Sequence, residues 1–182
     1  TALAHRAGAD VLARAHVKDR PAQTRDALAY ALERSDVLVI SGGVSVGPHD
    51  HVKRVLDELG VVQRFWRVAL RPGKPTWFGT TDDTLVFGLP GNPVASMLTF
   101  MLFVRPALWK LGGRRRLFPD TFRARAAEPM RKRPGRREFK RGNGVGRMIH
   151  SVGFLKNLAA VEFNLSLAEA QQYAHNIDRR CF

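Results

Sequence analysis

The chain has 182 residues, of which 45% are hydrophobic, enough for one sizeable domain with a core, which excludes a largely disordered protein. The only cysteine, Cys181, excludes an internal disulfide and a cysteine-based zinc site, as expected in a reducing cytoplasm. The net charge of +14 would suit an anionic partner, but the excess lies in residues 114–147, a pattern typical of a solvated basic face. That stretch lacks interleaved aromatic residues suited to base stacking, so we expect no nucleic-acid partner.

No apolar run approaches the roughly 20 residues that a membrane span requires, and the N-terminus has no signal-peptide pattern. We therefore expect no membrane span. The chain begins without Met in the middle of a helical pattern, and we interpret it as a fragment of a longer chain.

The first part of the chain, residues 1–113, alternates helical and strand patterns. A helix ends at Gly8, a strand follows over 9–17, and Thr24 caps a helix over 24–34. The remaining predicted elements are a buried strand over 37–40, a helix from Asp50 to Gly60, strands over 61–70, 75–79 and 85–87, and a long helix over 93–111. This order predicts an α/β domain: a three-layer, mostly parallel sheet with helices on both faces and a ligand site outside the carboxyl ends of its strands.

From residue 114 onward, arginines and Pro-Gly pairs divide the chain into short segments. We interpret 114–182 as a small β domain.

A glycine-rich loop, Ser41-Gly42-Gly43-Val44-Ser45-Val46-Gly47, follows the buried strand. It has the spacing of neither a dinucleotide-binding fingerprint nor a P-loop. The backbone amides of Gly42 and Gly43 and the hydroxyl of Ser45 could hold a phosphate, although an ordinary strand–helix turn uses the same residues.

Two proline-flanked turns follow, Arg71-Pro72-Gly73-Lys74-Pro75 and Leu89-Pro90-Gly91-Asn92-Pro93. Their prolines fix φ, so both turns are rigid. The first presents the ammonium of Lys74 with little loop entropy to lose, although a turn lysine without function has the same pattern. The second opens a helix whose N-terminus can attract an anion.

Two aspartates are candidate Mg²⁺ ligands, since Mg²⁺ is typically held between carboxylates and substrate phosphates. Asp50 lies just past the glycine loop, where it could instead cap a helix, and Asp19 follows the 9–17 segment, where it could be a solvated turn residue. Lys53 could reach a phosphate from the first helical turn. His49 and His51 cannot share a helix face and have no evident third ligand, so we reject a zinc site.

These three loops, in this order, resemble the molybdopterin molybdenumtransferases of molybdenum cofactor biosynthesis, a family that includes a domain of gephyrin and the plant cofactor-synthesis proteins. The resemblance covers residues 1–141 and includes Lys18-Asp19 and the segment Pro134-Gly135-Arg136-Arg137-Glu138-Phe139. It implies a cytoplasmic, Mg²⁺-dependent enzyme that inserts molybdate into adenylylated molybdopterin and releases AMP.

The resemblance also implies site residues. Asp19, Asp50 and Lys74 are the expected catalytic residues, with both aspartates at the metal. The pterin-binding positions are Ser41, Gly42, Gly43, Ser45, Lys53, Pro72, Gly73, Pro75, Pro90, Gly91, Asn92 and Pro93. The family further implies a homodimer and an adenylyltransferase partner.

The chain departs from the family in two regions. The family's N-terminal region, with a Thr-Gly-Asp-Glu type motif, has no counterpart here, and residues after about 142 are atypical. Two alternatives follow: a molybdopterin adenylyltransferase-like protein, or a pterin-binding scaffold without activity. The absence of a Thr-Gly-Gly-Thr-Gly loop and the presence of Lys74 argue against the first.

Overall fold

A computed structural model describes residues 1–17, 20–43, 51–120, 129 and 135–140. The chain forms two compact units. The first comprises Thr1–Val68 and Gly73–Leu117, and the second comprises Ala69–Pro72 with the residues from Phe118 onward. The predicted division into residues 1–113 and a β domain over 114–182 stays a prediction.

The first unit alternates helices and strands, which confirms the predicted α/β class. Its elements are α1 (Ala2–Arg6), α2 (Pro21–Arg34), β1 (Val37–Ser41), α3 (His51–Glu58), β2 (Val62–Trp66), β4 (Trp77–Thr80), β5 (Leu85–Leu89), α4 (Pro93–Thr99), a π-helical segment (Phe100–Val104) and α5 (Arg105–Leu111). The second unit contains β3 (Leu70–Arg71) and β6 (Arg137–Glu138), which pair in parallel.

The strands of the first unit form one sheet in the order β1-β5-β4-β2. Only β1 and β5 are parallel, whereas β5 pairs antiparallel with β4, and β4 with β2. The described sheet is therefore mixed, and the prediction of a mostly parallel sheet is wrong. A short turn joins β4 to β5 and is closed by a bond from the Thr81 N–H to the Thr84 carbonyl at 3.0 Å. A turn of this length joins only antiparallel strands, so β4 and β5 cannot be parallel.

Both faces of this sheet are covered, as the three-layer prediction requires. Successive residues of a strand point to opposite faces. One face carries Trp77 and Val86, which pack with residues of α2 and α3 in a buried cluster. The other carries an aromatic stack in which Phe78 lies 4.8 Å from Phe87 and Phe65 lies 5.9 Å from Phe103 of the π-helical segment, between ring centres.

A long apolar helix covers Pro93–Leu111, which confirms the predicted bounds. It contains the π-helical segment just before Pro106. A proline in an α-helix clashes with the carbonyl four residues earlier, and widening the preceding turn relieves that clash. By length and composition this helix could cross a membrane, contrary to the expectation that no run approaches that length. It is 44% buried over its apolar window, and core helices of soluble proteins meet the same criterion.

Three local predictions are wrong. Residues 9–17 form no strand: Leu12 is 70% exposed and has little to pack against. The α2 helix starts at Pro21, which suits the first helical position, and the Thr24 hydroxyl bonds to the Arg20 carbonyl from inside the helix. The strand predicted over 61–70 is interrupted because Arg67 adopts a positive φ of 65°.

Candidate functional site

Four strand ends of the first unit meet at one edge of the sheet. Ser41 pairs with Leu89, so the parallel strands β1 and β5 end together. Trp77, the first residue of β4, pairs with Gly88 and with Trp66, the last residue of β2. The glycine loop, the Pro90–Pro93 turn, the Lys74 turn and the end of β2 therefore share this edge, which we call the loop edge.

The start of the glycine loop is bonded to residues on either side of the Pro90–Pro93 turn. The Gly42 N–H donates to the Leu89 carbonyl at 3.0 Å, and the Ser41 and Ser96 hydroxyls lie 3.5 Å apart. A Cβ on Gly91 would lie 3.7 Å from the Cα of Gly42, so the two backbones touch. Because its N–H is bonded to the Leu89 carbonyl, Gly42 has no free backbone donor to offer a ligand.

Gly43 lies against the first turn of α3. Its φ is +68°, and a Cβ there would stand 2.6 Å from Cγ2 of Val52. Both features require glycine. The glycine-loop backbone therefore lies beside the turn that also carries Lys53.

Asn92 caps α4. Its side-chain oxygen accepts from the N–H groups of Val94 at 3.0 Å and Ala95 at 3.2 Å. Because the cap already satisfies these two N–H donors, the helix N-terminus has fewer free donors for the anion that the sequence predicted there. Pro90 and Pro93 fix φ on either side of Gly91 and Asn92, so the turn that carries the cap is rigid.

The Lys74 turn is held by more than its prolines. The buried Thr76 donates to the Gly73 carbonyl from its hydroxyl at 2.7 Å and from its N–H at 3.2 Å. The Lys74 carbonyl accepts from the Val68 N–H at 2.9 Å. Thr76, which the sequence analysis missed, therefore fixes the backbone that presents the Lys74 ammonium next to Pro75.

Lys53 and Arg67 both contact the ring of Trp66, and the sequence analysis singled out neither Trp66 nor Arg67. The Lys53 ammonium lies 3.7 Å from the ring centre of Trp66, and the guanidinium of Arg67 lies 4.2 Å from the same ring centre. Such cation–π contacts hold cations in place. The Trp66-Arg67 pair at a strand end, an aromatic residue followed by a cation, is the signal that could have revealed them. The loop edge therefore carries Lys53, Arg67 and Lys74.

The predicted residues Asp19, Ser45 and Asp50 lie outside the described residues. Within the described part of the chain, no three His, Cys, Asp or Glu side chains come together as a metal site.

Pro72 belongs to the second unit. There, Arg71 pairs with Glu138 at 3.0 Å, and the Phe139 N–H donates to the Arg71 carbonyl at 2.8 Å. A cavity of about 360 Å³ is lined by Arg71, Pro72, Glu138, Phe139 and Lys140.

Residues 1–110 match the family model described as a probable molybdopterin-binding domain. The chain is 40% identical over 142 residues to a molybdopterin molybdenumtransferase of Haemophilus influenzae, covering 75% of this chain and 35% of that relative. It is 44% identical over 113 residues to gephyrin of Dictyostelium discoideum, covering 53% of this chain and 16% of gephyrin.

A solved structure of a molybdenum cofactor biosynthesis protein from Pyrococcus furiosus is similar with a TM-score of 0.59. It is 28% identical, and the match covers 80% of this chain and 46% of that one. The chain thus spans about a third or less of the length of the two curated relatives, at 35% and 16%. With the family model matched over residues 1–110, the chain belongs to the molybdopterin-binding domain family.

Proposed function

We propose that this chain binds molybdopterin at the loop edge and acts in molybdenum cofactor biosynthesis as the pterin-binding part of a molybdopterin molybdenumtransferase. The observation that carries the proposal is that Gly42 and Ser41 of the glycine loop bond to Leu89 and Ser96, on either side of the Pro90–Pro93 turn. It places hydroxyls and backbone amides at the carboxyl ends of two parallel strands, where α/β proteins bind ligands. The relative from Haemophilus influenzae carries that enzyme name.

The residues of the loop edge have separate roles in this proposal. Ser41, Gly43 and Ser45 hold the pterin phosphate with hydroxyl and amide donors. Lys74, with Lys53 and Arg67 nearby, supplies positive charge that stabilises the anionic substrate and the charge that develops on phosphate oxygens. The rigid turns containing Pro75 and Pro90 exclude water and shape the pocket.

The proposed reaction consumes adenylylated molybdopterin and molybdate and releases AMP in the cytoplasm. Phosphoryl transfer relies on positioning and charge more than on a nucleophilic side chain. Asp19 and Asp50 would hold Mg²⁺, whose chemistry when bound is to neutralise phosphate charge. We also propose the homodimer and the adenylyltransferase partner that the family resemblance implies.

Replacing Asp50 with alanine is expected to abolish the Mg²⁺ dependence of molybdopterin binding, because the aspartate links metal and ligand. Isothermal titration calorimetry of the 182-residue chain, with and without Mg²⁺, measures this. Asp57→Ala removes an exposed carboxylate at the other end of α3 and should retain the dependence. If Mg²⁺ enhances binding to Asp50→Ala as much as to the wild type, Asp50 is not a ligand.

A pterin-binding scaffold without activity is the second candidate, favoured by the similarity to gephyrin. The two candidates differ in turnover. Given adenylylated molybdopterin and molybdate, the protein releases AMP if it is the transferase and binds without release if it is the scaffold.

Replacing Thr76 with valine is expected to destabilise the fold by about 1 kcal/mol, because the Gly73 carbonyl loses its hydroxyl donor. Molybdopterin affinity should fall several-fold as the Lys74 turn loosens. Urea unfolding and calorimetry measure the two effects.

Thr84→Val is the matched control. Thr84 is also buried, but its hydroxyl bonds to the Leu32 and Ser35 carbonyls at the opposite end of the sheet. It should lower stability and leave affinity unchanged. Equal affinity losses in both variants would mean that Thr76 acts through global stability alone.

A further inference from the structure

Trp66, at the end of β2, has two cations on one ring. The Lys53 ammonium, from the first turn of α3, lies 3.7 Å from the ring centre, and the Arg67 guanidinium lies 4.2 Å from the same point. The two cationic groups therefore lie within a Debye length of each other, about 10 Å at 0.1 M salt, and repel one another. Their contacts with the indole oppose this repulsion.

The indole of Trp66 is a fixed platform for these cations. It is half-buried and packs against the buried cluster that contains Trp77 and Val86. The π face of an indole attracts cations more strongly than the face of any other aromatic side chain. Because core contacts fix the ring, the Lys53 and Arg67 side chains are ordered when the protein folds and not when a ligand binds.

The backbone of Arg67 brings its guanidinium onto the neighbouring ring. In a continuous strand, residues 66 and 67 would point to opposite faces of the sheet. Arg67 instead has a φ of 65°, in the left-handed region that residues other than glycine seldom adopt. Its N–H donates to the Thr76 carbonyl at 3.1 Å, which helps to fix this conformation. A left-handed arginine costs free energy, and strain of this kind clusters at ligand sites.

We propose that Trp66 is a positioning residue that holds Lys53 and Arg67 as a cation pair for the phosphate of molybdopterin. The inference rests on the proposed function, because it assigns the pair to the ligand that the loop edge binds. A terminal phosphate carries about 1.5 to 2 negative charges at pH 7, which two adjacent cations neutralise. Cations already in place bind it without the cost of ordering two long side chains. Trp66 acts through these cations and not by contact with the ligand.

Calorimetric titration of molybdopterin into variants of the 182-residue chain tests this role. Trp66→Leu keeps an apolar side chain against the core but removes the π face, and it should weaken binding about ten-fold. Trp66→Phe keeps a π face and should retain most of the affinity.

Trp109→Leu is the matched control. The Trp109 ring also has two guanidinium groups near it, those of Arg105 at 4.6 Å and Arg114 at 5.1 Å. It stands on α5, about four turns beyond the start of the long helix at Pro93, and so lies far from the loop edge. This variant should bind molybdopterin as the wild type does.

A background without the two charges separates a positioning role from a structural one. In Lys53→Gln/Arg67→Gln, Trp66 has no cation left to position, so adding Trp66→Leu should change affinity by less than about two-fold. A merely structural tryptophan would cost the same factor in both backgrounds. Urea unfolding shows whether each variant is folded.

The arrangement can also be measured without ligand, in ¹H–¹³C spectra of the lysine side chains. The ring current of the indole should shift the Lys53 Hε signals upfield, and Lys53→Gln assigns them. Trp66→Leu should return these signals to the position of an ordinary exposed lysine.

Three results would overturn this inference and leave the proposed function in place. Trp66→Leu could bind as tightly as the wild type, its cost could be equal in both backgrounds, or the Lys53 signals could show no upfield shift in the wild type. Failure of the wild type to bind molybdopterin would instead overturn the proposed function, and this inference with it.

Discussion

Replacing Lys74 with alanine is expected to weaken molybdopterin binding by about 10- to 100-fold, because one charge-assisted hydrogen bond to an anionic ligand is lost. The turn itself should survive, since Thr76 and the Gly73 carbonyl hold it without the lysine side chain. Calorimetric titration of molybdopterin into wild type and variant measures the change.

Arg34→Ala is the control for charge. Arg34 ends α2, just before β1 begins, so it lies at the opposite end of the sheet from the loop edge. Its loss removes the same charge but should leave affinity within about two-fold, because exposed charges beyond a Debye length are largely screened. Equal losses in both variants would show that overall charge, and not the Lys74 turn, attracts the ligand.

Replacing Gly79 with alanine is expected to destabilise the fold by roughly 2–3 kcal/mol, near the upper end for overpacking a core. Gly79 and Trp77 lie two residues apart on β4 and so share a face, and a Cβ on Gly79 would stand 2.3 Å from Cη2 of Trp77. The indole is 2% exposed and donates to the Gln63 side chain at 2.7 Å, so it cannot move aside without breaking that bond. Urea denaturation measures the loss.

Two further variants test the cause of this destabilisation. Gly91→Ala, whose Cβ would have the Gly42 Cα at 3.7 Å as its nearest neighbour among the described residues, should cost far less. In the double variant Trp77→Phe/Gly79→Ala, the smaller ring leaves room for the methyl group. The double variant should therefore lose less stability than the two single variants lose together. Strictly additive effects would mean that the contact with Trp77 is not the cause.

Much of the fold could be predicted because its signals are local. Short-range patterns were enough to predict strand β1 from its apolar run and to predict the bounds of the helix over Pro93–Leu111. Predictions failed where a residue's partner lies elsewhere in the chain. The alternation over 9–17 has the period of a strand, but a strand forms only when a neighbour bonds to it.

The candidate site also has features that local sequence reveals and features that depend on distant contacts. Glycines and prolines mark turns and loops in the sequence, because the backbone freedom of glycine and the fixed φ of proline are intrinsic. Which donors those loops leave for a ligand is not intrinsic: the Gly42 N–H is bonded to Leu89, and the Asn92 oxygen caps α4. Thr76 could not be singled out, because its role depends on the bond that its hydroxyl donates to the Gly73 carbonyl across the turn.

The sequence by itself determined the class of fold, the family resemblance and the three loops, since each of these is written in the order and spacing of neighbouring residues. Only the tertiary structure decided that the sheet is mixed, that the loops meet at one edge and that Thr76 holds the Lys74 turn. The physical reason is that strand pairing, hydrogen-bond partners and burial are properties of contacts between distant residues, which no local pattern encodes.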